Sequence, residues 1–258
     1  DADQSKWTWG PSVSEDGRWL VVTVWRGSGP PNLVKVRDLS NPDGGFIDLV
    51  GGWEDEYEFV EAIGDTLYFM TDKDAPRKRL LAADMGVPGP IWSEVIPEQD
   101  ATLKSVSHVN GSFVANYMQD ASTRIHRFSE DGTPMGEISL PGIGSAGGFT
   151  GLSDDSESFY SFTSFTTPPT SYHIDLDTGE TYVMTESKVD FNPADYSVEQ
   201  VFYSSKDGTR VPMFLVHRKD MVRNGQVPTL LYGYGGFDIS LTPYFSPSRV
   251  AWVEMGGL

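Results

Sequence analysis

The stretch Asn110-Gly111-Ser112-Phe113-Val114-Ala115-Asn116-Tyr117 joins a turn dipeptide to a run of β-branched and aromatic residues. Asn-Gly between apolar runs is typical of a tight β-hairpin, and the run that follows it is typical of a strand. The same arrangement occurs at Asp16-Gly17, Gly64-Asp65 and Asp154-Asp155, so that successive turns are 48, 46 and 44 residues apart. The stretch therefore belongs to a repeat and is not an isolated hairpin.

A second series of turns lies one hairpin further along each repeat, at Asp43-Gly44, Asp84-Met85-Gly86, Asp131-Gly132 and Asp177-Thr178-Gly179. Two turns per repeat imply four strands, and four strands at a period of about 45 residues are typical of β-propeller blades. The predicted repeats run from about 7 to 50, 57 to 97, 102 to 141 and 147 to 187. An all-β sandwich is the alternative, but sandwiches do not repeat at this period. The predicted fold is mostly β, with about four blades of a propeller.

Composition excludes several classes of function. The chain of 258 residues carries 19 basic and 37 acidic side chains, a formal net charge of −18, which repels phosphate backbones and argues against nucleic-acid binding. It has no cysteine, which excludes disulfides, thiolate catalysis and Cys-type zinc sites. No apolar run approaches the roughly 20 residues that span a bilayer, so no membrane partner is expected. The first residue is Asp1, which indicates a processed or truncated N-terminus, and the compartment, cytoplasmic or periplasmic for a soluble protein, is left open.

The sequence changes character after Val189. A polar linker at residues 190–195 is followed by two predicted strands, at 198–203 and 209–217. A third predicted strand, at 227–231, is apolar and therefore expected to be buried. The last segment, at 249–253, is either a short strand or the start of a helix. A fully apolar strand followed by glycines suits an α/β sheet better than a further blade. We therefore predict propeller blades over residues 1–190, and a linker with the first strands of an α/β domain over residues 191–258.

Several motifs fail as catalytic or metal sites. The four histidines lie in strand-like segments without metal-ligand spacing, and no metal or cofactor is expected: His108, His126, His173 and His217. Ser145 is not the serine of a nucleophile elbow, because Ile143 stands where that motif needs glycine. Residues 175–180 resemble half of a calcium loop but lack its fifth-position ligand, so a hairpin turn explains them.

Residues 228–237, Pro228-Thr229-Leu230-Leu231-Tyr232-Gly233-Tyr234-Gly235-Gly236-Phe237, are called the glycine loop below. They cannot cradle a phosphate as a P-loop does, because no Lys-Ser/Thr pair follows the glycines. Two interpretations stay open, a simple turn and an oxyanion loop. In the second, the hydroxyl of Tyr234 donates to a developing oxyanion, which is worth roughly 3 kcal/mol of barrier, and Phe237 forms the wall of an apolar pocket.

At these residues the chain resembles the prolyl oligopeptidase family of serine peptidases. The resemblance rests on Ser205-Lys206-Asp207-Gly208-Thr209-Arg210-Val211-Pro212-Met213-Phe214, on residues 231–240 and on Thr242-Pro243. Residues 162–169 are also similar to the last-blade region of that family. The resemblance covers essentially the whole chain.

The resemblance implies a seven-bladed propeller that admits short peptides to an α/β-hydrolase domain, with cleavage on the carboxyl side of proline. It implies that Tyr234 is the oxyanion tyrosine and that Phe237 lines the proline pocket. The catalytic Ser, Asp and His of the family follow the glycine loop, and no such triad is present here. We therefore expect a central fragment of about a third of such an enzyme, inactive and poorly folded by itself, whose partners are proline-containing oligopeptides and the remaining segments of the same enzyme.

Two alternatives remain at this point. The chain is also compatible with a non-catalytic propeller that binds or scaffolds, in which the glycine loop is only a turn. It is equally compatible with a sibling peptidase of the same architecture that has dipeptidyl or acylaminoacyl specificity.

Overall fold

The computed structural model of the protein describes residues 4–237 and 239–258. Residues 1–3, in the predicted propeller segment, and Asp238, in the family motif, lie outside the described residues. Sixteen strands form four antiparallel sheets, each with four strands that are consecutive in the chain. The first two sheets contain β1 Trp7–Val13, β2 Trp19–Arg26, β3 Asn32–Asp38, β4 Ile47–Val50, β5 Tyr57–Ile63, β6 Thr66–Thr71, β7 Arg79–Asp84 and β8 Ile91–Ile96. The third and fourth contain β9 Thr102–Val109, β10 Ser112–Gln119, β11 Ser122–Ser129, β12 Pro134–Ile138, β13 Ser145–Thr150, β14 Glu157–Thr163, β15 Thr170–Asp175 and β16 Thr181–Glu186.

The four sheets confirm the predicted repeats, because each predicted range matches one four-stranded sheet to within three residues at either end. The turn that joins β9 to β10 shows why these turns can be recognised from the sequence. Asn110 and Gly111 have φ of 51° and 54°, as a two-residue hairpin turn requires, and both residue types tolerate positive φ. The fourth connection is not the predicted tight hairpin, because it runs over residues 151–156. There the Asp155 carboxylate accepts a hydrogen bond from the backbone N–H of Leu152 at 2.8 Å, which stabilises a longer loop.

The first two sheets pack through an apolar layer. Trp19, Val34, Leu67 and Phe69 belong to one buried cluster, to which both sheets contribute. Asn32 adds a polar bridge, since its fully buried amide donates to the Tyr57 carbonyl and accepts from the Tyr57 N–H, at 3.0 and 2.8 Å. A second cluster joins the second sheet to the third and includes Tyr68, Leu80, Phe113, Tyr117 and Phe128. These two cores therefore lie between the first and second sheets and between the second and third, as in propeller blades.

The segment after the fourth sheet forms a hairpin and a helix. A short 3₁₀ turn, Pro193–Asp195, precedes β17 Tyr196–Ser204 and β18 Arg210–Arg218, and the helix α1 spans Pro247–Glu254. The two predicted strands of this segment are confirmed, and the ambiguous segment at residues 249–253 is helical.

The predicted buried strand at residues 227–231 is wrong in this structure. These residues form no strand, and the side chains of Leu230 and Leu231 are 62% and 82% exposed. An apolar strand is buried only where neighbouring strands or helices cover both faces. Among residues 4–237 and 239–258, Leu258 is the one backbone partner that the segment has outside itself, so neither face is covered.

The described residues divide into two compact units. One extends through Tyr117 and includes His126–Gly136 and Gly151–Asp155. The other comprises Met118–Ile125, Glu137–Thr150 and Ser156–Leu258, and therefore holds all four strands of the fourth sheet, the β17–β18 hairpin, the glycine loop and α1. Among the described residues, no helix is both long and apolar enough to cross a bilayer.

Candidate active-site loop

The start of the glycine loop is paired with the segment that follows α1. The N–H of Leu258 donates to the carbonyl of Pro228 at 2.9 Å, and the carbonyl of Leu258 accepts from the N–H of Leu230 at 2.8 Å. In a parallel pair of strands, the N–H and the carbonyl of one residue bond to two residues of the neighbouring strand that are two positions apart. Leu258 bonds to Pro228 and Leu230 in this way. Leu258 and residues 228–230 therefore form a parallel bridge, and α1 lies between them in the chain.

The C-terminal end of α1 places Leu258 at this bridge. The N–H of Gly256 bonds to the Val253 carbonyl at 3.0 Å and that of Gly257 to the Trp252 carbonyl at 3.1 Å, and Gly256 has φ of 92°. This is a Schellman motif, which turns the chain sharply out of a helix. The Trp252 indole N–H then donates to the Leu258 carbonyl at 3.1 Å, which ties the end of the helix to the start of the glycine loop.

The two candidate residues of the glycine loop, Tyr234 and Phe237, have exposed side chains. Tyr234 is 48% exposed and Phe237 is 91% exposed. Within the described residues, no ring contact joins them, and the Tyr234 hydroxyl has no hydrogen-bond partner. Phe237 has φ of 57°, a left-handed conformation that a bulky side chain rarely adopts. The structure thus places both side chains on one short exposed turn, but the described residues do not enclose a pocket around them.

The glycines of this turn have space around them. A Cβ atom added at Gly233 or Gly235 would meet nothing within 4 Å, and neither residue has positive φ. At Gly236 the nearest atom to an added Cβ would be the Tyr234 hydroxyl, at 3.4 Å. The backbone conformation therefore does not require glycine at Gly233 and Gly235, and neither do the described neighbours. A glycine at these positions would, however, allow a bound molecule to approach the backbone closely.

The fourth sheet anchors the chain beyond the glycine loop. The Ser145 hydroxyl donates to the Pro243 carbonyl at 2.8 Å, and the Phe245 N–H donates to the Thr163 hydroxyl at 3.2 Å. The Phe165 ring packs on Phe214 of β18 at 5.2 Å between centroids. The sequence analysis excluded Ser145 as a nucleophile, and the structure places it at the start of β13, where its hydroxyl has this anchoring role.

Arg249 of α1 contacts the same region and was missed by the sequence reasoning. Its guanidinium carbon lies 4.1 Å from the ring centre of Tyr244, 5.8 Å from that of Tyr232 and 5.9 Å from that of Phe165. No local pattern marks this arrangement, because Phe165 and Arg249 belong to segments 84 residues apart.

The histidines lie in strands, as predicted, in β9, β11, β15 and β18. His217 shows the most elaborate environment. Its Nδ1 lies 2.7 Å from the carbonyl of Arg218 and its Nε2 2.9 Å from Glu199, which also pairs with Arg223. The hydrogen bond from Arg223, and next that from His217, hold the pKa of the Glu199 carboxyl below its ordinary value. Within the described residues no group of three or more potential ligands could hold a metal ion.

Four consecutive four-stranded antiparallel sheets of propeller type define a β-propeller segment. Residues 1–187 match the family model described as the N-terminal β-propeller domain of prolyl oligopeptidase, and the chain belongs to this family.

Named relatives agree with this assignment. A prolyl endopeptidase of Elizabethkingia miricola is 41% identical over 247 residues, which cover 95% of this chain and 35% of that protein. The dual function macrocyclase-peptidase POPB of Amanita bisporigera is 32% identical over 267 residues, covering 100% of this chain and 36% of that protein. The chain therefore spans about a third of the length of the curated relatives it matches.

Solved structures show the same fold. A chain from a structural and mechanistic study of two prolyl endopeptidases superposes with a TM-score of 0.85 and 43% identity, over 98% of this chain and 37% of that chain. The apo form of prolyl oligopeptidase B from Galerina marginata superposes with a TM-score of 0.90 and 28% identity, over 100% of this chain and 38% of that chain.

Proposed function

We propose that this chain is part of a serine endopeptidase that hydrolyses short peptides on the carboxyl side of proline. Residues 1–190 contribute blades to the propeller that limits substrate size, and residues 191–258 begin the α/β-hydrolase domain. The observation that carries the proposal is the position of the Gly-Tyr-Gly-Gly-Phe turn, residues 233–237. It follows shortly after residues 228–230, which form a parallel bridge with Leu258. In an α/β-hydrolase, a loop that follows an early strand of the sheet supplies part of the oxyanion hole.

Tyr234 has the properties that an oxyanion donor needs. Its hydroxyl is exposed and unpaired within the described residues, so no competing acceptor must be displaced. The open space at Gly233 and Gly235 allows a substrate carbonyl to approach the turn. A donor held at the position where negative charge develops lowers the barrier to the tetrahedral intermediate without lowering the energy of the bound substrate equally. Phe237 supplies an apolar surface three residues further on, suited to the ring of a proline.

The proposed mechanism assigns acyl transfer to a Ser–His–Asp triad supplied by other parts of the enzyme. The 258 residues contain no Gly-x-Ser-x-Gly motif. The remaining segments of the enzyme are therefore the proposed structural partners of this chain. They would also cover the exposed apolar side chains of the glycine loop, which include Leu231 and Phe237.

The test is a Tyr234→Phe substitution in the polypeptide of natural length, assayed with a chromogenic peptide that carries proline before the scissile bond. We expect kcat to fall by about 10- to 1000-fold with little change in KM, because the lost hydrogen bond forms in the transition state. Tyr203→Phe is the matched control, since it removes an exposed tyrosine hydroxyl from β17, outside the glycine loop, and should leave kcat unchanged. Absence of hydrolysis by the unsubstituted protein would favour a binding propeller, and an unchanged kcat for Tyr234→Phe would remove Tyr234 from the mechanism.

A further inference from the structure

Arg249 occupies a position that helix electrostatics disfavour. The N-cap of α1 is Ser246 and Pro247 begins the helix, so Arg249 lies in the first turn, which contains no acidic residue. The positive end of the helix dipole is at this terminus and disfavours a cation there. In a chain with 37 acidic side chains, Arg249 forms no ion pair within the described residues. In the part of the chain that the structure describes, neither the helix nor a carboxylate therefore explains its presence.

The contacts of Arg249 are aromatic instead. The ring centres of Tyr244, Tyr232 and Phe165 lie 4.1, 5.8 and 5.9 Å from the guanidinium carbon, all within the range of a cation–π contact. The guanidinium also donates a hydrogen bond to the Tyr244 hydroxyl. A planar guanidinium can stack on a ring and donate at its edge at the same time, which a lysine ammonium cannot do.

These three rings belong to three different segments. Phe165 lies in the loop between β14 and β15 of the fourth sheet, Tyr244 follows the glycine loop, and Tyr232 lies within it, two residues before Tyr234. The Phe165 loop has its own support, because the Ser164 hydroxyl accepts from two backbone N–H groups of that loop. Within the described residues, the contact with Arg249 is the one aromatic or polar side-chain interaction that an outside residue makes with residues 231–237.

We infer that Arg249 is a positioning residue, which clamps Tyr232 between the fourth sheet and α1 and so fixes the direction in which Tyr234 points. This inference rests on the proposed function. Arg249 touches neither substrate nor the reacting atoms in this scheme, and its effect on the reaction passes through Tyr234. A small displacement of a catalytic group is enough to lower the rate greatly, so a clamp of modest strength has a measurable effect.

The test is a double-mutant cycle in the polypeptide of natural length, with the same chromogenic proline peptide. Arg249→Met keeps the length and apolar stem of the side chain and removes the charge, and Arg249→Lys restores the charge without the planar group. We expect Arg249→Met to lower kcat about 10-fold with little change in KM, and Arg249→Lys to recover only part of the loss. In a Tyr234→Phe background the same change should alter kcat less than about 2-fold, because the group through which Arg249 acts is gone. Equal effects in both backgrounds, or a normal kcat for Arg249→Met, would overturn the inference.

A second measurement does not depend on activity. The N–H groups of Leu230 in the glycine loop and of Phe245 beyond it are hydrogen-bonded, at 2.8 and 3.2 Å, and report on how firmly the loop is held. Their hydrogen–deuterium exchange should become about 5-fold faster in Arg249→Met, the scale of one exposed cation–π contact, while the β17–β18 hairpin exchanges as before. If the unsubstituted protein proves inactive but this loop exchanges faster, the clamp stands and the proposed function fails. If exchange is unchanged in the glycine loop, the clamp itself is refuted.

Discussion

Tyr117 in β10 is the largest fully buried side chain, and its hydroxyl has no hydrogen-bond partner within the described residues. We predict that Tyr117→Phe stabilises the protein. Burying a hydroxyl without a partner costs about 1–3 kcal/mol, which the substitution recovers. The loss of one oxygen atom leaves a very small cavity, worth a few tenths of a kcal/mol at about 24 cal/mol per Å³. The expected net gain is about 1 kcal/mol at pH 7.

The same substitution has a pH dependence of defined sign. Burial raises the pKa of Tyr117 from 10.0 to about 12. Because the folded-state pKa lies above the unfolded value, the folded state holds the proton more tightly, and this contribution to stability is complete below pH 10 and is lost as the pH rises towards 12. Phenylalanine has no proton to lose, so its advantage over tyrosine should grow by a further ~1.4 kcal/mol between pH 7 and pH 11.

Urea denaturation of the natural-length polypeptide, followed by tryptophan fluorescence, measures both effects. Of the seven tryptophans in these 258 residues, six precede residue 97 and report on the first two sheets: Trp7, Trp9, Trp19, Trp25, Trp53 and Trp92. Tyr203→Phe, at a half-exposed position of the hairpin, is the control and should change stability at neither pH. A Tyr117→Phe variant less stable than the parent, or an advantage that is equal at pH 7 and pH 11, would refute the reasoning.

Three further outcomes are expected. Asn32→Ala should lower the free energy of unfolding by about 2–4 kcal/mol in the same urea assay, because it leaves the buried backbone groups of Tyr57 unpaired, and a loss below about 1 kcal/mol would contradict the bridge. Gly132→Ala should destabilise by more than about 2 kcal/mol, because Gly132 has φ of 85° and a Cβ would lie 1.9 Å from the Val95 carbonyl oxygen; near-parental stability would contradict this. Phe237→Ala should raise KM for proline peptides more than it lowers kcat, and an unaltered preference for proline would remove this residue from the proposed pocket.

The propeller segment could be predicted because its signals are local. Each turn dipeptide needs positive φ or a side-chain cap, and each strand alternates between two faces, so both features can be read within a few residues. Asn110-Gly111 and its counterparts therefore located the four sheets to within a few residues at each end. The length of the fourth connection was missed, because Asp155 stabilises a loop through a side-chain bond that two adjacent aspartates do not reveal.

The sequence identified the residues of the glycine loop but did not predict how exposed they are. Its apolar residues predicted a buried strand, whereas Leu231 is 82% exposed because burial depends on what covers a segment and not on its own composition. The parallel bridge to Leu258 depends on the length of α1 and on the Schellman turn at its end, which direct the chain back to Pro228.

The amino-acid sequence alone determined the repeat, the strand pattern and the candidate pair Tyr234 and Phe237, because turn chemistry and side-chain alternation act between near neighbours in the chain. Only the tertiary structure decided which distant groups meet. The amide of Asn32 reaches Tyr57 in the next sheet, the hydroxyl of Ser145 reaches Pro243, and Arg249 lies among rings from three segments. Such contacts depend on how elements pack, and no spacing within the chain specifies that arrangement.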